Sequence, residues 1–293
     1  MRKIFCQELI KYFDQKPFVF LTGDLGYNAL EPLQARMGKY FINAGVAEQN
    51  MISTAAGIAK SGMRVFCYSI APFIYARPYE QIRNDLCLHN LPVTLVGNGG
   101  GYGYGVMGAT HHAIEDYGAL MRLQNMSAFI PVFSSDISAM ITKIDNSKSP
   151  NYLRLGLVEN KNDLPYQQWR KALNGELGCV IAIGSIAGKI LLELEKIPQK
   201  NRPNLWILSE LPINNFPQEL INDIQNNKLC IFEEHVAGGS AGQMTATKLL
   251  SDDIKIKSFL HLHAKGYPSQ KYGSQNFHRQ ESGLVTENIL SFF

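Results

Sequence analysis

The most informative stretch of this chain, and the one on which assignment of its fold rests, is Phe41-Ile42-Asn43-Ala44-Gly45-Val46-Ala47-Glu48-Gln49-Asn50. It places a single carboxylate, that of Glu48, between an apolar approach and the helix-like run 51–59. A lone acid in such surroundings loses solvation as an anion, so its pKa is expected to rise and it can share a proton. The alternative is an ordinary glutamate in the first turn of a helix, where the helix dipole favours it.

Length and composition predict a globular chain with a large core. It has 293 residues, of which 45% are hydrophobic, enough for one long or two ordinary domains. The net charge of +3 and the lack of a Lys/Arg tract argue against nucleic-acid binding. The five cysteines are scattered without metal spacing, which indicates reduced structural thiols. The first residues lack the apolar core of a signal peptide, and no apolar run approaches the roughly 18 residues of a membrane span, so a cytoplasmic location is expected.

In the first half of the chain, apolar β-rich runs alternate with segments of helical period. The predicted strands lie at 18–22, 64–69, 92–97, 127–132 and 151–155, and the predicted helices at 5–13, 48–60, 75–90, 115–123 and 136–145. Strands nearly free of polar residues and separated by helices predict a buried parallel sheet covered on both faces.

The second half repeats this alternation after a polar stretch. We expect a linker at 158–172, which divides a first domain at 1–157 from a second at 173–293. Strands are predicted at 179–183, 205–208, 229–233 and 256–261, and helices at 187–196, 217–225 and 242–250. The predicted fold class is therefore α/β, with two doubly wound domains.

A glycine-rich loop follows the strand predicted at 92–97. Its run 103–108 fits G-x-G-x-x-G, but a dinucleotide site would open a helix there and offer an acid about 20 residues later. No acid lies at 123–127, so these glycines indicate a backbone that approaches a ligand closely. The loop ends in Thr110-His111-His112, and a metal site is not indicated because no third ligand is suitably spaced.

A second polar element, Gly23-Asp24-Leu25, lies just past the first predicted strand. Open parallel sheets bind ligands at the carboxyl ends of their strands, so the position of Asp24 suits an acid in an active site. The alternative is a turn or a helix cap.

Together these elements resemble the pyrimidine-binding domain of the transketolase class of thiamine-diphosphate enzymes. The resemblance rests on the stretch 41–50, the pair Thr110-His111, Gly23-Asp24-Leu25 and the segment 68–83. It continues at 179–185 and 233–239, which are similar to the family's C-terminal domain, so it covers the C-terminal half of a full transketolase. It implies a transketolase-like pyrimidine-binding domain followed by a smaller α/β C-terminal domain.

The resemblance implies roles for particular residues. Glu48 would hydrogen-bond the pyrimidine ring and activate the cofactor, and Asp24 would lie close to that cofactor. His111 would contact a substrate oxygen and help to move protons, with a structural histidine as the alternative. His112 would be a second polar contact to substrate or a structural group.

The segment 68–83 resembles the part of the family that stacks aromatic side chains on the pyrimidine. A flat ring fixes the cofactor and keeps water away. Family positions for these aromatics align with Ala71 and Ile74. Phe73 and Tyr75 are the nearest substitutes, with Phe73 preferred, and the alternative is that both belong to the core.

The resemblance weakens at substrate-binding positions. Arg154 matches a family arginine that binds substrate phosphate, whereas a phosphate-binding serine aligns with Asn28, a phosphate-binding histidine with Gly99, and an acid that reads a sugar hydroxyl with Met107. We expect Arg154 and Asn28 to face a substrate that departs from that of ordinary transketolases.

The family's Mg²⁺ and diphosphate motif, Gly-Asp-Gly followed by Asn, is absent from this sequence. A hard cation that bridges phosphates needs such oxygen ligands. The resemblance therefore implies thiamine diphosphate and Mg²⁺ as cofactors, a partner subunit that carries the diphosphate and Mg²⁺ site, and an α2β2 heterotetramer.

The implied activity is that of a transferase of carbohydrate metabolism, which moves a two-carbon ketol unit from a ketose to an aldehyde or sugar acceptor. One alternative is an acyl-transferring or decarboxylating relative, similar to deoxyxylulose-phosphate synthase or to the β subunit of a 2-oxo-acid dehydrogenase. The other is a scaffold half without catalytic activity.

Overall fold

The computed structural model describes residues 1–157 and 164–293, which form two α/β units, each built on one mostly parallel sheet. This confirms the predicted fold class. Of the predicted linker, residues 158–163 lie outside the described residues, and residues 169–172 belong to a strand of the second unit.

The elements of the described residues are numbered in chain order. The strands are β1 (Val19–Thr22), β2 (Phe41–Asn43), β3 (Val65–Ile70), β4 (Val93–Asn98), β5 (Ser127–Phe129), β6 (Asn151–Leu155), β7 (Trp169–Leu173), β8 (Cys179–Ile183), β9 (Asn204–Leu208), β10 (Glu210–Leu211), β11 (Lys228–Glu233) and β12 (Ser258–Leu262). The helices are α1 (Arg2–Gln15), α2 (Glu31–Met37), α3 (Glu48–Lys60), α4 (Ala71–Ala76), α5 (Tyr79–Gln81), α6 (Asp116–Leu120), α7 (Asp136–Asn146), α8 (Ile186–Leu194), α9 (Gln218–Ile224), α10 (Ala241–Ser251), α11 (Gln275–Glu281) and α12 (Thr286–Phe292). A π-helical turn follows α5 at Ile82–Cys87, and 3₁₀ turns lie at Gly38–Tyr40, Gly105–Met107 and Gln199–Asn201.

The first sheet has seven strands within the described residues, in the order β10-β5-β6-β4-β3-β1-β2, and only β10 runs antiparallel to its neighbour. From β1 the chain moves outward to β2, and it then crosses back to β3 on the other side of β1. The strand order therefore reverses at β1 and β3. Ligands of open parallel sheets bind at this kind of reversal, beyond the carboxyl ends of the strands.

Both faces of the first sheet are covered because its central strands are apolar on both sides. All six residues of β3 are buried, and α3 packs on one face through residues at helical spacing, which include Met51, Ile52, Ala55 and Ala59. On the other face, Phe5 and Leu9 of α1 lie in a second cluster with the apolar side of α7. These two layers fix α3, and with it Glu48, against the sheet.

The second unit has a five-stranded sheet in the order β12-β11-β8-β9-β7, with β7 antiparallel at its edge. One residue after β9, the chain enters β10, where Leu211 pairs with Ala128 and Glu210 with Phe129 of β5. The first sheet is thus completed by a strand from the second half of the sequence.

All the strands predicted from sequence are present, with ends shifted by up to three residues. The helix predicted at 75–90 is divided between α4, α5 and the π-helical turn, while β2, β7, β10, α2, α11 and α12 were not predicted. The five cysteines are buried and free. Within the described part of the chain, no helix is both long and apolar enough to cross a membrane.

Candidate active site

Glu48 lies where the strand order of the first sheet reverses. It begins α3, directly after the turn that follows β2, and its residue is only 3% exposed. Gly23, at the end of β1, faces it so closely that a Cβ at this glycine would lie 3.3 Å from Glu48 Oε1. Ser69 of β3 approaches from the other side, so three adjacent elements converge on one carboxylate.

Each described hydrogen bond to the Glu48 carboxylate comes from a donor. Ser69 Oγ donates to Oε1 over 3.0 Å, and Arg77 Nη1 lies 3.0 Å from Oε1 and 2.9 Å from Oε2. This set of contacts suits a carboxylate, which accepts through both oxygens. The Glu48 side chain is 2% exposed but that of Arg77 is 42% exposed, so the arginine covers the acid from the solvent side.

Arg77 also stacks on Phe73. Its guanidinium carbon lies 3.7 Å from the centre of the Phe73 ring, the geometry of a cation–π contact. A cavity of about 540 Å³ opens beside the pair and is lined by Arg77 and residues 46–50. The planar guanidinium therefore fills a place between a carboxylate and an aromatic face, at the mouth of a cavity.

His111 reaches this place from the glycine-rich loop. Its ring is half-buried, 5.3 Å from the ring of Phe73 and 5.8 Å from that of Tyr104, and Nδ1 lies 2.9 Å from Thr110 Oγ1. The structure thus brings together three of the residues predicted from sequence, Glu48, Phe73 and His111.

Asp24 lies just beyond β1, as predicted, and is partly exposed. It has a left-handed backbone (φ +59°), and its carboxylate accepts from Asn43 Nδ2 over 2.8 Å, while Asn43 Oδ1 accepts from Asp24 N over 3.1 Å. This reciprocal pair joins the ends of β1 and β2. It fixes an unusual backbone conformation beside Gly23, the residue against Glu48.

Asn28 and Tyr75, also predicted as site residues, lie farther from the carboxylate. Asn28 is exposed before α2, and its backbone N–H donates to Glu31 Oε1 over 2.7 Å. The Tyr75 hydroxyl donates to Glu115 Oε2 over 3.4 Å, which turns this ring towards α6 instead of towards Glu48. Phe73 is therefore the aromatic side chain at the site.

His112 points the opposite way from His111. It is 3% exposed, with Nε2 2.8 Å from the carbonyl of Gly105 and Nδ1 2.9 Å from the hydroxyl of Tyr267. Burial lowers the pKa of His112 to about 4, and the nearby His278 acts in the same direction. Of the two roles expected for His112, its position favours the structural one.

Arg154 is also inside the protein. Its side chain is 6% exposed, and Nε lies 2.7 Å from Asp116 Oδ2, while Nη2 donates to the carbonyls of Ala113 (2.8 Å) and Glu234 (3.0 Å). Gly100 closes over it, since a Cβ there would lie 2.6 Å from the Arg154 side chain. The expected contact between Arg154 and a substrate phosphate does not fit this position, and we assign it a structural role.

A second cavity, of about 410 Å³, lies beyond the ends of β4 and β6. Its lining includes Arg2 and Lys3 at the start of α1, together with Asn98, Gly99 and Tyr104. The Asn98 amide donates to the Tyr104 hydroxyl over 2.7 Å, and Tyr104 also touches His111. Two cations thus line a cavity next to the His111 loop.

Sequence reasoning missed Arg77, Ser69 and Asn43 as members of this site. Ser69 and Asn43 each lie at the end of a strand at the edge where ligands bind, a signal that could have marked them. Arg77 offered no such signal, because its contact with Glu48 spans 29 positions of sequence. Among the described residues, no group of three or more His, Cys, Asp or Glu side chains is placed to hold a metal ion.

Comparisons with known proteins agree with this geometry. Residues 1–163 match the family described as transketolase, pyrimidine binding domain. One of the two kinds of subunit of an apulose-4-phosphate transketolase, from Actinobacillus succinogenes, is 30% identical over 267 residues, which cover 85% of this chain and 82% of that protein.

Two further proteins are similar over most of the chain. A 1-deoxy-D-xylulose-5-phosphate synthase of Clostridium perfringens is 26% identical over 82% of this chain, which spans 40% of the length of that enzyme. A solved structure described as a split gene transketolase, inactive β4 tetramer, superposes with a TM-score of 0.80 at 24% identity and covers 99% of this chain and 95% of its own. The last likeness concerns the fold.

Proposed function

The chain belongs to the transketolase pyrimidine-binding domain family, and from this premise we propose that it is one subunit of a split, thiamine-diphosphate-dependent transketolase. The single observation that supports this most is the environment of Glu48. A buried carboxylate lies at the strand reversal of a parallel sheet and faces an aromatic ring, a histidine loop and a cavity.

The residues around Glu48 fit an aminopyrimidine ring. Such a ring is planar and presents N–H donors, as does the guanidinium of Arg77 that now lies between Glu48 and Phe73. In our proposal the ring takes that place, with the Glu48 carboxyl on its nitrogen and Phe73 against its face. Thiamine diphosphate, when bound, supplies the electron sink for cleavage of a bond next to a carbonyl.

The chain's own residues would then divide the work. Glu48 shares a proton with the pyrimidine nitrogen, and Ser69 holds Glu48 Oε1 in place. His111 lies on the open side of Phe73, where it can donate to or accept from a substrate oxygen. Asp24, tied to Asn43, holds the end of β1 against the site.

A partner chain would supply the rest of the site. The described residues offer no cluster for Mg²⁺, and the sequence has no Gly-Asp-Gly motif for the diphosphate. We propose that both are held by an N-terminal transketolase-like subunit in an α2β2 assembly, so that this chain alone is inactive. The Actinobacillus succinogenes relative, which is itself named as one subunit of its transketolase, supports a division of this kind.

The substrate would be an anionic sugar that transfers a two-carbon ketol unit. Because Arg154 is paired inside the protein, we place the anionic group at the second cavity, near Arg2 and Lys3. The relative that acts on apulose 4-phosphate, by its name, supports a phosphorylated sugar.

The test is calorimetric titration of thiamine diphosphate with Mg²⁺ into this chain, into the partner, and into their mixture. The partner is the candidate subunit that carries Gly-Asp-Gly followed by Asn. We expect tight binding only in the mixture, and ketol transfer only there. Turnover by this chain alone would contradict the split site, and binding by the partner alone at full strength would contradict the role of Glu48.

The synthase relative supports one second candidate, a decarboxylating acyl transfer. Release of CO2 from pyruvate by the mixture, without transfer from a ketose, would favour that reaction.

A further inference from the structure

The loop that carries His111 is closed at its base and held from inside. Gly101 and Ala113 exchange two backbone hydrogen bonds of 2.9 Å, which bring the ends of residues 101–113 together. We call these residues the histidine loop. His111 N and His112 N both donate to the carbonyl of Gly108, at 2.9 and 3.1 Å, so the two histidines share one tight turn.

The tautomer of His112 follows from its contacts. A carbonyl can only accept, so the His112 Nε2–H donates to Gly105 O across 2.8 Å. The pKa of His112 is lowered to about 4 by burial, and the ring is neutral at pH 7. Its Nδ1 is therefore an acceptor, and the hydroxyl of Tyr267, 2.9 Å away, must donate to it.

Tyr267 belongs to the second unit, and its neighbours cover the same loop. The Tyr102 hydroxyl, at the start of the loop, donates to the carbonyl of Gly266 over 2.9 Å. Gly108 has φ +75°, and a Cβ there would lie 2.9 Å from the ring of Tyr272. A Cβ on Gly105 would lie 3.2 Å from the carbonyl of Gly273, so the loop and the segment 266–278 touch through backbone.

His278 completes the contact. Its ring lies 4.8 Å from that of His112 and stacks on Tyr102 at 5.0 Å, and its Nε2 accepts from Gly273 N at 3.2 Å. The segment 266–278 is thereby fixed to the ring of His112 on one side and to α11 on the other. A displacement of this segment would displace His112, and with it the adjacent peptide of His111.

We propose that the segment 266–278 of the second unit positions His111, with Tyr267 as a positioning residue that acts through His112. The proposal rests on the proposed function, in which His111 meets the substrate. Tyr267 touches no reacting atom; it fixes the turn from which His111 projects. Sites held by a supporting set of hydrogen bonds keep their geometry, whereas unsupported side chains drift.

Hydrogen exchange of the full chain tests the proposal without cofactor or substrate. Tyr267→Phe removes only the hydroxyl, so His112 Nδ1 loses its donor while the ring contacts stay. We expect amides of the histidine loop to exchange about tenfold faster, because a buried acceptor is left unpaired. Tyr272→Phe is the matched control, since the described contacts give this hydroxyl no hydrogen bond and its ring remains against Gly108.

Steady-state kinetics of the assembled enzyme provide the second readout. For Tyr267→Phe we expect kcat to fall about tenfold with KM for the ketose and the thermal midpoint little changed. Unchanged exchange in the loop together with an unchanged kcat would overturn the proposal. A fall in kcat that follows only a loss of folded protein would overturn it as well.

The two proposals fail in different ways. If the wild-type mixture neither binds thiamine diphosphate nor turns over substrate, the proposed function fails. The exchange experiment then still decides whether Tyr267 fixes the loop, because it is carried out on the chain itself.

Discussion

The guanidinium of Arg77 lies directly on the carboxylate of Glu48, with Nη1 2.9 Å from Oε2 and 3.0 Å from Oε1. The same guanidinium stacks on Phe73. A cation therefore occupies the position in which our proposed function places the pyrimidine ring, and binding of the cofactor requires Arg77 to leave. Its side chain is partly exposed, so it has solvent to move into.

Arg77→Ala is expected to bind thiamine diphosphate more tightly in the assembled enzyme. The variant has no exposed ion pair and no cation–π contact to break, which together correspond to roughly a 5- to 30-fold lower Kd. Calorimetric titration measures this, with Arg83→Ala as the control for an exposed arginine farther along the chain. Weaker binding by Arg77→Ala alone would show that the arginine contacts the ligand instead of being displaced by it.

Glu48→Gln is expected to keep the fold and lose most of the activity. The amide has the same shape and can accept from Ser69, but it cannot share a proton as the acid does. The loss of kcat should be about 10²- to 10⁴-fold, the usual contribution of a proton-transfer group. Glu80→Gln, an exposed glutamate in α5, is the control, and equal activity of the two variants would remove Glu48 from the mechanism.

Acidification is expected to destabilise the chain through His112. Burial lowers the pKa of His112 from 6.5 to about 4, so the unfolded chain takes up a proton in this interval that the native chain does not. Stability is therefore fully present above about pH 6.5 and falls towards pH 4, by no more than about 3 kcal/mol from this residue. Burial also lowers the pKa of the adjacent His278, which adds in the same direction, while the charge of Glu234 opposes it.

Urea unfolding of His112→Gln at about pH 7 and about pH 5 checks this. The glutamine does not titrate, so the difference between the two pH values should shrink relative to the wild type. His89→Gln, at an exposed position, should leave the difference unchanged. An equal difference in all three proteins would show that other groups cause the acid sensitivity.

Asp116→Asn is expected to be strongly destabilising. It leaves the buried Arg154 without its counter-ion, and Tyr152, whose hydroxyl lies 2.7 Å from Asp116 Oδ2, without a charged acceptor. Loss of one partner of a buried pair costs about 3–5 kcal/mol. Urea titration measures the change, and Glu8→Gln, which removes an exposed pair with Lys11, should cost less than about 1 kcal/mol. A small effect of Asp116→Asn would leave Arg154 free to bind ligand.

Hydrophobic patterning predicted the sheet strands well because their burial is a property of each segment by itself. The strand β7 was missed for the opposite reason. Its Arg170 and Lys171 suggest a polar linker, yet Arg170 is 5% exposed and forms a buried ion pair with Asp136, at 2.7 Å between Nη1 and Oδ1. Local composition could not reveal a partner that lies 34 positions away.

The candidate site was predictable in part for the same reason. Glu48, Phe73 and His111 lie in segments whose sequence carries the family pattern. Whether a side chain faces the cavity or the interior depends on contacts between units, and those of His112 and Arg154 come from Tyr267 and Glu234 of the second half. A pattern within either segment does not contain that information.

The pairing of β10 with β5 makes the two halves of the sequence a single cooperative structure. The strand order of the first sheet ends on Glu210 and Leu211, and one apolar cluster contains Ala128 and Ile130 together with Trp169 and Leu211. A recombinant fragment that ended at residue 157 would carry an unpaired β5 edge, which invites association between copies. Melting of the intact chain should accordingly be one transition, and exchange of the second half between homologues would require that β10 be matched to its acceptor strand.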